Sequence, residues 1–319
     1  MRYRLVLLFL SAIIPLAILA ILIFLGSYAE PVFRYSGLSF LGQVEWNIGN
    51  LYANPVTRHG VQVPIGAQYG ILAFIVGTVL SSLIALILAV PISIGVAIFL
   101  SEGLSRPLRP WFSFILELLA GVPSVVYGLW GLVVLAPLIL KAIGPFLSHL
   151  LGFIPFFAPP VSDYGLLTAA LVLTLMITPF IAATLRDALS QVPQEHKEAA
   201  FALGADHFEV IRLAMLPAVR APLIGAIFLG LGRALGETMA VLMVSGGAIN
   251  YLPQNLYSPI STMASFILSQ LDSAETDPTG MAIRALAAIA LILFIISVLV
   301  NALARLLVYQ GFRRQYARE

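Results

Sequence analysis

The chain has 319 residues, 60% of them hydrophobic and only 10% charged, with a mean hydropathy of +1.00. Soluble domains carry about 25% charged residues, so this composition excludes a soluble globular domain and indicates an integral membrane protein. The formal charge is +2 and there is no cysteine, which removes disulfides, thiolate metal sites and cysteine nucleophiles together. The four histidines, at 59, 149, 196 and 207, fall in expected loops or interface, and no two share the i,i+4 spacing of a helical metal-ligand pair. Neither Lys141, after Leu140, nor Lys197, after His196, completes a G-K-[ST] phosphate loop. If ATP drives this protein, another subunit binds it.

A helix needs about 20 apolar residues to cross a bilayer. Six segments qualify: 5–26, 69–100, 111–140, 164–185, 219–245 and 282–306. The fold class expected is therefore an all-α integral membrane protein with six transmembrane helices. Pro91, Pro123 and Pro137 predict kinks or interfacial extensions in the second and third. The first segment has a basic start, Arg2 and Arg4, and a passable cleavage site at Ser27-Tyr28-Ala29. Its apolar stretch of about 20 residues exceeds the usual 7–15 of a signal, so a retained anchor is expected.

Basic residues set the orientation. With both termini in the cytoplasm, the inner side collects Arg2, Arg4, Arg106, Arg109, Arg186, Lys197, Arg212, Arg220, Arg305, Arg313, Arg314 and Arg318, twelve of the seventeen. Arg34, Arg58, Lys141 and Arg284 fall outside, and Arg233 belongs to neither side. Three regions follow: an N-terminal span with an external cap over 1–68, a core over 69–306 with an inner loop at 186–219, and a cytoplasmic tail over 307–319. "PISTMASFILSQL", within 246–281, is amphipathic and too short to span; it is expected at the interface or pore mouth. No clear internal repeat is visible.

The inner loop "RDALSQVPQEHKEAAFALGADHFEVIRLAMLPAVRAP" spans 186–222. Pro193 suits a helix start, and Glu195 and Glu198 sit in the first turns, where the helix dipole favours acids. Gly204 permits a turn, His207–Leu216 is helix-like again, and Pro217 closes it. Two short helices at an angle are expected. They form either a solvated connection or, given the small residues Ala199, Ala200 and Gly204, a surface for another protein.

"GLGRALGET" (230–238) puts Arg233 and Glu237 near the midplane of the fifth segment, where an arginine costs about 2.5–3.5 kcal/mol on insertion scales. Four residues apart on a continuous helix, they share a face. The order Arg-then-Glu is the weaker one for such a pair. Two readings stand: a self-neutralising ion pair that locks helix packing, or a hydrated passage in which Arg233 meets an anion. The guanidinium fork suits tetrahedral oxyanions, and Glu237 would hold it in place. Gly232 and Gly236 form G-x-x-x-G, with Gly225 a face away, and read as a packing seam.

Glu117 reads as a carboxylate near the inner interface paired with Arg109 or Arg220, or else as a gating contact. "GVPSVVYG" (121–128) breaks a helix at membrane depth, which is tolerated beside a cavity or another helix; Ser124 and Tyr127 are thus pathway candidates. An intramembrane enzyme lacks support: no ligand-spaced His/Asp/Glu cluster lies in the spans, and Ser81, Ser82 and Ser93, with no nearby base, are expected to bond within helices.

"EAAFALG…LP" (Glu198 to Pro217) resembles the EAA loop of ABC importer permeases. Glu198, Ala199, Ala200, Gly204, Leu216 and Pro217 fall on that motif's positions, with Ala214 where the family has isoleucine. "GLSFL" (37–41), "VGTVLSSLIALILAVPISIGVAIFLSE" (76–102), "ELLAGVPSVVYGLWG" (117–131) and "GLGRALGETMAV" resemble the permeases of the phosphate-specific importer, of the PstC type. The resemblance implies a type I ABC importer permease fold in a bacterial inner membrane. It implies a phosphate pathway through Arg233 and Glu237, and ATPase docking at 194–217. It also implies a heterodimer with a related PstA-like permease, two ATP-binding cassette subunits that hold ATP and Mg, and an external phosphate-binding protein. No cofactor in this chain and no nucleic-acid partner is expected. Transport of sulfate or molybdate, or ion-coupled secondary transport, are the alternatives.

Overall fold

The computed structural model describes residues 2–316, with side chains at 3, 4 and 7–306. Residues 307–316 of the expected tail continue the last helix, whereas residues 317–319 and the side chains of Arg2, Arg313, Arg314 and Arg318 lie outside what is described. In chain order the helices are α1 (Arg2–Ser36), α2 (Ser39–Gly42), α3 (Leu72–Gly103), α4 (Arg109–Ala120), α5 (Ser124–Leu151) and α6 (Leu166–Ser190). Then come α7 (Gln194–Ala202), α8 (His207–Ala218), α9 (Arg220–Leu235), α10 (Met239–Val244), α11 (Met263–Glu275) and α12 (Met281–Tyr316). Among the described residues, five are long and apolar enough to cross a membrane, and the bent pair α8–α9 brings the total to as many as six.

Helix α6 is the axis of the bundle. Residues such as Ala169, Ala170, Leu173, Ile177, Ile181 and Leu185 are fully buried in it, and α3 lies along it over most of its length. The reason is legible in α3: Ser81, Ala85, Ala89, Ser93 and Ala97 recur every fourth residue, and all are buried, while Gly77, on the same spacing, meets the Ser261 backbone instead. Small residues at this spacing form a smooth stripe along which a second backbone can approach. Polar bridges fasten the pair, Ser93 Oγ donating to the Thr178 carbonyl at 3.1 Å and Thr174 Oγ1 to Ala85 at 3.4 Å. Ser81 instead bonds within its own helix, to the Gly77 carbonyl at 2.7 Å.

Two expected spans are interrupted. The segment read as 111–140 divides at Gly121–Pro123 into amphipathic α4 and apolar α5. Pro137 does not end α5. It sits between two π-helical turns, Gly131–Leu135 and Ile139–Ile143, whose wider winding accommodates the missing amide. The segment read as 219–245 bends by 73° from α8 into α9, then breaks again between α9 and α10.

The N-terminal helix runs ten residues beyond its expected end and leans on α12 through Leu22, Leu25 and their neighbours. Residues 37–71 then fold into turns and two antiparallel ribbons, β1 (Trp46–Asn47) with β4 (Gln68–Tyr69) and β2 (Val56–Arg58) with β3 (Val61–Val63). Trp46 is the hub: its ring lies 5.3 Å from Tyr69, 6.2 Å from Phe74 and 4.9 Å from Phe266. Phe266 belongs to α11, which thus packs beneath this cap with Met263, Ala264 and Ser265 buried. Asn250 clasps the Trp46 backbone through both its amide atoms.

Candidate functional site

Helix α9 packs on α6 at Gly230, where a Cβ would stand 2.7 Å from Ile181 Cδ1. A side chain at residue 230 would require Ile181 to move. Gly232 and Gly236, the expected seam, make no such contact: the nearest neighbour to a Cβ at Gly232 is Asn301 Nδ2 at 3.9 Å. Three residues beyond Gly230, in the last turn of α9, stands Arg233. A cation there is favoured by the helix dipole. Its guanidinium lies 5.8 Å from the Phe180 ring centroid, a cation–π distance, and its side chain remains largely exposed.

The helix ends at Leu235, and Gly236 takes φ −93°, ψ 0°. The shared helical face expected for Arg233 and Glu237 is therefore not formed, because the i,i+4 rule needs a continuous helix. No carboxylate lies within 4.0 Å of Arg233 among the described residues. Glu237 turns the other way: its Oε1 accepts the Ala240 amide at 3.1 Å. It thereby satisfies one of the orphan donors at the start of α10. Glu237 is a cap, not the counterion of Arg233.

Across from this break lies a second one. Helix α5 approaches α10 so closely that a Cβ on Gly128 would stand 2.9 Å from both Ala240 Cα and Met243 Sδ. Tyr127 stands one residue earlier and is half-buried. Its hydroxyl donates to the Leu119 carbonyl at 2.8 Å, spanning the Gly121–Pro123 interruption and fixing α5 against α4. Ser124 is half-buried at the first position of α5. Two interrupted spans thus meet through Gly128 and Ala240, a few residues along the chain from the arginine.

Glu117 is elsewhere. Its expected partners, Arg109 and Arg220, are not the ones it has: Glu117 Oε1 accepts Arg186 Nη2 at 3.0 Å, and Arg186 also holds Asp187 at 2.6 Å. The cause is tertiary, since α4 lies along the inner end of α6. Arg109 Nε donates instead to the Leu104 carbonyl at 2.9 Å.

The inner loop forms the expected angled pair. Pro193 precedes α7, Gly204 reverses the chain at φ +88°, and Asp206 caps α8 with Glu209 reciprocating. Glu198, Ala199 and Gly204 are exposed; Ala200, Leu216 and Pro217 are half-buried. Lys197 Nζ donates to Glu102 Oε1 at 2.7 Å, tying α7 to the end of α3. Sequence reasoning missed Leu203 (90% exposed), Phe208 (68%) and Leu213 (67%), an apolar surface on a charged loop. Their signal was available: large apolar residues at the turn and on α8 have no reason to face water unless covered.

A bundle of long apolar helices with interrupted spans indicates a multi-pass membrane protein. A family model described as "Binding-protein-dependent transport system inner membrane component" matches residues 89–309. "Phosphate transport system permease protein PstC 1" of Mycobacterium tuberculosis (strain ATCC 25618 / H37Rv) is 46% identical over 276 residues, 85% of this chain and 82% of the relative. The PstC protein of Haemophilus influenzae is 40% identical over 299 residues, 92% and 88% of the two chains. An inward-facing structure of the MetNI methionine ABC transporter aligns with a TM-score of 0.50 at 18% identity, over 76% of this chain and 94% of that one, a likeness of fold alone. The chain belongs to the binding-protein-dependent transport inner-membrane components, and within them to the phosphate transport system permease proteins of the PstC type.

Proposed function

We propose that this chain is one permease half of an ATP-driven importer of inorganic phosphate in a bacterial inner membrane, with both termini cytoplasmic. The observation that carries the reading is 46% identity over 85% of the chain to a phosphate transport permease. The geometry adds what an anion pathway needs: an arginine without a carboxylate partner among the described residues, standing at a break between α9 and α10. Such interruptions are tolerated in membranes where they are buried in protein or line a water-filled cavity. Arg233 meets the oxyanion, and Tyr127 and Ser124 border the same passage. Glu237 keeps the break in shape.

A related, distinct permease supplies the other half of the passage, and an external binding protein delivers phosphate. The elbow of α7 and α8 seats on an ATPase subunit, with Glu198, Ala199, Ala200 and Gly204 at the contact and Leu216 and Pro217 supporting it. The uncovered Leu203 and Phe208 favour such a partner. ATP and Mg bind to that partner, and this chain hydrolyses nothing itself. Alternating access then opens the Arg233 region to one side at a time.

The test is uptake of labelled phosphate at low external concentration, in bacterial cells lacking a high-affinity permease and expressing the chain with its partners. Labelled sulfate and molybdate serve as controls. Restored phosphate uptake that depends on ATP supports the reading. Uptake of sulfate or molybdate instead changes the substrate, and uptake without the ATPase subunit overturns the ATP-driven mechanism.

A further inference from the structure

A cavity of about 750 Å³ lies at the inner end of the molecule, between the end of α3, the turn into α4, and helices α7 and α8. This is within the 300–1,000 Å³ range of ligand sites. Its charged lining is Glu102, Arg106, Arg109 and Lys197, with His207 at the edge. Lys197 and Glu102 neutralise each other at 2.7 Å. The two arginines remain. Arg106 makes no ion pair among the described residues, and Arg109 uses only Nε, on the Leu104 carbonyl. Both hang from one turn, in which the Leu108 and Arg109 amides donate to the Ser105 carbonyl at 3.0 and 3.3 Å. That turn places two arginines, three residues apart, in the lining of a single cavity.

We propose that this cavity binds a phosphate group, gripped by Arg106 and Arg109. Paired guanidinium forks match phosphate oxygens in charge and geometry. Gln194 adds a polar amide, and the remaining walls are largely apolar, including Phe99, Phe201 and Met215. Just beyond Arg109, α4 exposes Trp111, Phe112 and Ile115, the aromatic and aliphatic face of an interfacial helix. A phosphate carrying an acyl chain, the headgroup of an anionic phospholipid, uses both halves of this surface. Inorganic phosphate uses only the arginines. The site is separate from Arg233, and its inner-leaflet placement rests on the orientation proposed above.

The experiment uses the assembled transporter, purified in detergent and stripped of lipid. Phosphatidylglycerol binding is read by native mass spectrometry and inorganic phosphate binding by equilibrium with labelled anion. Two charge-assisted contacts predict that Arg106→Gln/Arg109→Gln weakens one of these ligands by at least about tenfold. Arg106→Lys/Arg109→Lys recovers most of it, and Arg212→Gln leaves it unchanged. Loss confined to phosphatidylglycerol identifies a lipid site, and loss confined to inorganic phosphate identifies a free-anion site. Should the double variant fail to assemble, Arg106→Gln alone, which breaks no contact, is read in its place. Equal binding by wild type and variants overturns the proposal, as does phosphate binding that only Arg233→Gln removes. Neither result bears on whether the chain transports phosphate.

Discussion

Adding one methyl group at Gly230 tests whether the packing of α9 on α6 positions Arg233. A Cβ there stands 2.7 Å from Ile181 Cδ1 and 2.9 Å from Cγ1, about 0.7 Å short of ordinary contact, which begins near 3.4 Å. Ile181 is fully buried, and Ile177 Cβ lies 3.8 Å from the same added carbon, so the methyl group enters a packed site. Overpacking of this kind costs ~1–3 kcal/mol, and Arg233 rides on the same helix one turn later. Ile181→Ala removes both clashing atoms but leaves a cavity, costing ~2–5 kcal/mol by itself. A methyl on residue 230 fills part of that cavity. The double variant is therefore expected to fall short of the summed losses by ~1–2 kcal/mol, in the range of contacting pairs.

The assay is thermal melting of the assembled, purified transporter in one detergent, for wild type, Gly230→Ala, Ile181→Ala and the double. A multi-subunit membrane complex does not unfold in two states, so midpoints are compared among the four proteins and no absolute stability is extracted. Phosphate uptake at matched membrane levels is read alongside, and should fall in Gly230→Ala and recover partly in the double. A Gly230→Ala midpoint equal to wild type, or strict additivity in the double, refutes the reasoning.

Arg233→Gln strands no carboxylate, so melting and membrane level should hold while subsaturating phosphate uptake drops at least about tenfold, the loss of one charge-assisted contact; wild-type uptake would make Arg233 a packing residue. Glu237→Gln keeps an acceptor for the Ala240 amide and Glu237→Ala does not, so the alanine variant should be the less stable by ~1 kcal/mol, seen as the lower melting midpoint of the two. Gly204 sits at φ +88° in open space, so Gly204→Ala strains the elbow by ~1–2 kcal/mol without a clash. It should reduce phosphate-stimulated ATP hydrolysis while the spans assemble normally, and undiminished coupling would speak for an ordinary connection.

Most of the spans were legible because a run of about 20 apolar residues has few other uses. The stripe on α3 was in plain view too, since Gly77, Ser81, Ala85, Ala89, Ser93 and Ala97 repeat without interruption, yet a repeat of small residues does not name its partner helix. Pairings across the fold were out of reach. Glu117 meets Arg186 rather than Arg109 or Arg220 because of how α4 lies against α6, and no local pattern encodes that. The angled inner helices were readable from Pro193, Gly204 and Pro217, whose backbone limits act locally. The contact of Lys197 with Glu102 was not.

The break at Gly236–Thr238 shows why the site itself was only half legible. Hydropathy averages composition over a window and is blind to whether the backbone bonds within it are made. "LIGAIFLGLGRALGETMAVLMV" therefore reads as one helix, and one helix makes Arg233 and Glu237 partners. In the folded chain the helix stops between them. Interruption frees amides at the start of α10, and Glu237 answers one of those amides rather than the guanidinium. A single backbone event thus separates two charges that would otherwise cancel. It leaves Arg233 at a helix C-terminus, with Phe180 beneath it and no acid to satisfy it. An uncompensated arginine is costly in lipid, and the cost is relieved if the groups around it are water and a passing anion. On the pathway proposed above, the same break that spoils the ion pair would leave the residue free to meet an anion.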